Sequence, residues 1–161
     1  LRRIVIIMGT NAVQRDATAE TVSANVQRLR KERNLGLRGL SNKLGEVGRP
    51  LGHSAVDQIE RGTRRVDVDD LVALAAALGV SPVTLMMPSM ENRAEMIDAP
   101  GEDGKATPTP ADRWWLWLRA ESPLPGYIGS DRKFFADARP EWDAGPGDPR
   151  WWTKETSDGD D

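Results

Sequence analysis

Between positions 22 and 85 apolar side chains recur at intervals of three and four, the spacing that gathers them on one face of an α-helix. Val22, Val26 and Leu29 form the first stripe. They predict a helix that starts within 18–22 and runs to about Arg33, with Asn34 as a left-handed stop. Leu40, Leu44 and Val47 predict a second helix, beginning after Gly36 and turning Arg38, Asn42 and Lys43 outward. Gly48 and Pro50 end it, since glycine takes the left-handed conformation past a helix and proline cannot continue its hydrogen bonding. The third helix is different, because only Val56 and Ile59 are strongly apolar. A narrow seam therefore holds it to the protein, while His53, Ser54, Asp57, Gln58 and Arg61 face outward. Its start is expected at Gly52 or Ser54, where Ser54 and Asp57 have the spacing of a capping box, and Gly62 is its expected left-handed end.

The clearest local signal comes next. Asp67 is placed to cap a fourth helix with Asp70 at its third position, and Val66 and Leu71 are placed to staple its start. Leu71, Leu74, Ala75 and Leu78 give that helix its core face and Gly79 ends it. Ser81 as cap, Pro82 at the first position and the pair Val80 and Leu85 predict a fifth. Met86 and Met87 read as core or as a contact with a second subunit.

Beyond Pro88 the periodicity stops. Residues 89–110, with Pro100, Gly101, Gly104, Pro108 and Pro110, read as a flexible linker. In 111–121, Trp114, Trp117, Leu118 and Glu121 follow helical spacing and make one short amphipathic helix candidate. The further aromatics Phe134, Phe135, Trp142, Trp151 and Trp152 are separated by Pro and Gly. The expected organisation is a flexible arm over 1–20, an all-α five-helix domain over 21–88, a linker over 89–110 and an acidic, Trp-rich, mostly irregular tail over 111–161.

Charge sharpens this division. The 161 residues carry a net charge of -3. Residues 21–87 hold ten basic and seven acidic side chains, hence +3, whereas residues 88–161 hold nine and sixteen, hence -7. A basic helical domain ahead of an acidic tail is compatible with a polyanionic partner, although an acidic tail also serves solubility alone. Cysteine is absent, which removes a disulfide framework, a thiolate metal site and cysteine catalysis, and fits a reducing cytoplasm. The apolar run at positions 4–8 is too short for a secretory signal or a membrane span, and the first seven residues read as flexible or extraneous.

Several stretches together carry a resemblance: RLRKERNL at 28–35, GLSNKLG at 39–45, VDQIERG at 56–62 and LVALAAALGVS at 71–81. This region resembles the Cro and phage-repressor helix-turn-helix family, also called xenobiotic-response-element type. The resemblance covers about 22–88 and implies a lambda-repressor-like fold that binds double-stranded DNA as a homodimer. Two departures stand out. Ser41 replaces the usual alanine, and thirteen residues separate Gly45 from Ile59, a longer interval than the family's usual one. The simplest account runs the second helix through Gly45 and places the turn at 48–52.

Carried over position by position, His53, Ser54 and Gln58 match the residues whose side chains enter the major groove. Glutamine can bond adenine bidentately, serine reaches several base edges, and histidine can donate to guanine or phosphate. Arg38, Arg49, Arg61, Arg64 and Arg65 flank that helix and are the expected phosphate contacts, which set register without reading sequence. Cations in the last turns of the first helix are already favoured by the helix dipole and need no DNA. His53 is the only histidine, so no metal site is expected, nor any cofactor. Ser54 beside His53 lacks an orienting acid and an oxyanion site, which argues against an enzyme. The rival reading is an antitoxin or adaptor whose tail grips a protein partner through Trp114, Trp117 and Leu118, against the plainer one in which those residues dock on the chain's own core. The first expectation is a transcriptional repressor in a bacterial or phage-infected cytoplasm, associated with the nucleoid.

Overall fold

The first helix, α1 (Ala17–Glu32), lays Val22, Val26 and Leu29 against the core and stops where Asn34 turns left-handed at φ 54°. A computed structural model describes residues 17–100 and 106–143 of the chain. The expectations for an arm before residue 17, and for Trp151 and Trp152, fall outside that range. Four more helices follow: α2 (Leu37–Glu46), α3 (His53–Glu60), α4 (Val68–Leu78) and α5 (Pro82–Met86). Leu40, Leu44, Val56, Ile59, Leu74, Leu78 and Leu85 are all fully enclosed and make one core with the α1 stripe. The five-helix fold expected from periodicity is the fold observed. One residue departs from the expected stripe. Val47 lies just past the end of α2 and is 44% exposed, because the helix stops at Glu46 and Gly48 takes φ 83°.

Apolar packing is supplemented by polar ties that the hydrophobic pattern did not show. Asn25 is buried between Val22 and Leu29 on the inner face of α1. Its amide donates to the carbonyls of Leu85 at 3.0 Å and Met87 at 2.7 Å, and more weakly to Thr84, while its oxygen accepts from Arg28. Asn25 thus satisfies carbonyls at the end of a five-residue helix too short to satisfy them itself. Arg30 and Glu60 form a fork-to-fork pair at 2.5 and 2.7 Å, with side chains 12% and 3% exposed, which ties the last residue of α3 to α1. Arg30 also donates to the Leu35 carbonyl at 2.7 Å. The Glu60 carboxylate raises the pKa of Arg30 through that hydrogen bond, against the opposing effect of burial. Ser41 donates its hydroxyl to the Leu51 carbonyl at 2.6 Å. The residue in the usual alanine position therefore supplies a partner to the backbone of the extended turn.

The described chain divides into two compact units between Pro88 and Ser89. The second unit holds structure where a linker was expected. Strands β1 (Met96–Pro100) and β2 (Ala106–Pro110) pair antiparallel, with Ile97 opposite Thr109 and Ala99 opposite Thr107. The prolines that pointed to a linker are tolerated because both strands of a two-stranded ribbon are edges. The chain passes directly from β2 into α6 (Ala111–Leu118), whose first two amides bond the carbonyls of Glu95 and Arg93. Trp114 on α6 is buried together with Ile97, Ala99 and Thr109. A second helix follows, α7 (Asp131–Ala138), capped by Ser130, and a short 3-10 turn at Glu141–Asp143. Between α6 and α7, residues 119–130 form turns and irregular segments.

Two substitutions test the polar ties. Asn25→Ala leaves buried carbonyls without a donor and is expected to destabilise the protein by about 1–3 kcal/mol. Arg30→Ala strands the Glu60 carboxylate and is expected to cost about 3–5 kcal/mol, most of it regained when Glu60 is also replaced by an apolar residue of similar volume. Urea midpoints of the single and double variants, analysed as a double-mutant cycle, read both effects.

Candidate nucleic-acid interface

Helix α3 begins on an unassisted cap. Gly52 is its N-cap with extended dihedrals and offers no side chain, so the first turn is held by the Gly52 carbonyl, which accepts from Ala55 and Val56. His53 is the first helical residue and Ser54 the second, so the expected Ser54–Asp57 capping box does not form. Asp57 instead pairs with Arg61 one turn later at 2.5 Å. At the other end Gly62 adopts φ 66°, and Thr63 N–H bonds the Gln58 carbonyl at 2.8 Å, closing the helix as the glycine predicts.

The two faces of this helix are sharply divided. Val56 and Ile59 are fully enclosed, and Glu60 lies beside them on Arg30. His53, Ser54 and Gln58 are exposed, and among the described residues their side chains carry no hydrogen bond or ion pair. Three side chains with mixed donor and acceptor capacity thus project from one face of a short helix whose other face is enclosed.

The five arginines expected at phosphates fall into different environments. Arg38 is exposed on α2 and has no partner among the described residues. Arg61 is 64% exposed in its pair with Asp57. Arg65 is exposed in the loop after α3. Arg49 and Arg64 are brought together by one carboxylate. Asp70, the third residue of α4, is fully enclosed, and it accepts from Arg49 Nε at 2.9 Å through Oδ1 and from Arg64 Nη2 at 2.8 Å through Oδ2. Arg49 also reaches Asp67 at 3.1 Å. Its pKa is raised, mainly by the hydrogen bond to Asp70. Asp67 meanwhile caps α4 as expected, accepting the Asp70 N–H at 2.7 Å.

The periodic reading missed the enclosed polar ties of three residues: Asn25, Glu60 and Asp70. A signal for them does exist. Each occupies a position that helical spacing assigns to the buried face: Asn25 between Val22 and Leu29, Glu60 four residues after Val56, and Asp70 four before Leu74. A polar or charged group in such a position calls for a partner elsewhere in the chain.

In the second unit, Trp114 is 4% exposed and stacks at 4.9 Å on Trp117, while Trp117 and Leu118 are half-buried. Trp114 is therefore an interior residue of its own unit and presents no anchor at the surface. Among the described residues no cluster of three or more His, Cys, Asp or Glu could hold a metal ion, and no helix is long and apolar enough to cross a membrane.

Residues 26–85 match the family model described as helix-turn-helix, a span that contains all of α2 to α4 and the whole interface just described. No curated protein and no solved structure matches the chain. With the five helices, the enclosed seam of α3 and its outward polar face in place, the N-terminal domain belongs to the Cro and C1-type helix-turn-helix family of DNA-binding transcriptional regulators.

Proposed function

We propose that this protein is a sequence-specific repressor that inserts α3 into the major groove and binds a two-fold symmetric site as a homodimer. The observation that carries the reading is the exposed trio His53, Ser54 and Gln58, without intramolecular partners among the described residues, on a helix whose opposite face is wholly enclosed. In the proposed complex Gln58 bonds adenine, Ser54 reaches a neighbouring base edge, and His53 donates to guanine or to a phosphate at the groove edge. Arg38, Arg61 and Arg65 supply phosphate contacts that fix the register. Arg49 and Arg64 are left out of that set because their guanidiniums satisfy the fully enclosed Asp70, whereas the carboxylate that Arg61 pairs with, Asp57, is open to solvent. A homodimer would place two copies of α3 about 34–36 Å apart, one helical turn of DNA. Such a protein acts in the cytoplasm on the nucleoid, in a bacterium or a phage-infected cell.

Selection of bound duplexes from a random pool by the intact chain tests this directly. The expected outcome is a palindromic consensus. Gln58→Ala is expected to relax preference at one base pair per half-site by about 1–3 kcal/mol. Arg38→Ala should weaken selected and shuffled duplexes alike and flatten the slope of log K against log salt by about 0.9 for each phosphate that is no longer neutralised. A chain that enriches no sequence, or variants that weaken equally on both duplexes with no change in slope, would defeat the proposal.

A further inference from the structure

The corner between α2 and α3 runs from Val47 to Gly52, six residues, of which Val47, Gly48 and Arg49 bond back to α2 through their backbone amides. Arg49 sits near its middle, four residues before the first residue of α3; Arg64 sits four residues after the last. Both guanidiniums end on the same enclosed carboxylate, one on each oxygen of Asp70. The recognition helix is thus flanked on either side by a strut, and the struts share one anchor on α4. A third connection, Glu60 to Arg30, holds the last residue of α3 to α1.

From this convergence we propose that Asp70 is a positioning residue for DNA recognition, and that Arg49 and Arg64 act as its struts rather than as phosphate ligands. The inference rests on the DNA-binding reading above and adds to it which residues set the pose of the reading helix. The physical reasons are two. A carboxylate without solvent must have both oxygens satisfied, so neither guanidinium can leave for a phosphate without stranding charge. A phosphate contact also needs a guanidinium with its donors free, whereas Arg64 is directed onto Asp70 and Arg49 is divided between Asp70 and Asp67. The longer corner and the acidic start of α4 then make a matched pair: the loop supplies Arg49, and Asp67 and Asp70 receive it.

The test uses the full chain, the duplex that the wild-type protein selects from a random pool, and a shuffled duplex of the same composition. Arg49→Gln, Arg64→Gln and Asp70→Asn are compared with the parent, each well below its own Tm. Every variant is expected to lose about tenfold in discrimination between the duplexes, of the order of one base pair of readout. Arg49→Gln is expected to keep the parental salt slope on the shuffled duplex, and adding it to Asp70→Asn should bring little further loss. Should Asp70→Asn fail to fold, the two arginine variants carry the comparison. An Arg49→Gln protein that weakens on both duplexes alike, with a slope smaller by about 0.9 per subunit, is a missing phosphate ligand and overturns the inference. Variants with a lower Tm but parental discrimination and slope overturn it as well, since they leave Asp70 only a stabilising role. A parent that cannot tell the two duplexes apart removes the DNA-reading proposal itself, and the positioning role with it.

Discussion

A helix that must offer a polar face to a partner and still stand at a fixed angle has little apolar surface with which to do so. Helix α3 meets this constraint with only Val56 and Ile59 enclosed. Burial of such side chains contributes about 1.5–3 kcal/mol each, a modest anchorage, and two aliphatic groups on one line resist sliding better than they resist tilting. What fixes the angle is directional. Glu60 receives Arg30 in a fork-to-fork pair, Ser41 bonds the turn before the helix, and Asp70 takes an arginine from the turn on one side and the loop on the other. Enclosed ion pairs are an inefficient source of stability, but removing one partner leaves the other charge buried and uncompensated.

This arrangement divides the arginines of a basic domain into two kinds. Some are structural, turned inward onto carboxylates at enclosed helix positions. Others, such as Arg38, stay in solvent and contribute to the field that a polyanion meets. Net charge alone does not separate them: the +3 of residues 21–87 is a sum over both kinds. Asp57 belongs to the outward set as the acidic member of the α3 face, where it pairs with Arg61 along the helix and offsets its charge.

The second unit shows how a local signal can be right about residues and silent about their pairing. Prolines at 100, 108 and 110 do interrupt regular hydrogen bonding, yet a two-stranded ribbon has an outer edge on each strand where they are admitted. Alternation was present in miniature, with Ile97 and Ala99 enclosed and Met96 and Asp98 exposed, but five residues are too few to stand out against the surrounding turns. The tryptophan run was legible as a helix, and its most prominent member, Trp114, proves to be interior to its own unit.

By itself the sequence determined the helical domain. The stripes of α1, α2 and α4, the caps Asp67 and Gly79, the left-handed stops at Asn34 and Gly62 and the bipolar character of α3 all follow from side-chain spacing and backbone preference. These are properties of neighbours in the chain, so they can be read without knowing the fold. Only the tertiary structure decided which arginine faces out and which faces in, that Ser54 caps nothing, and that Asp70 is the common anchor of two residues 21 and 6 positions away. An ion pair depends on distance through space, and the chain brings those charges together only after its helices have packed.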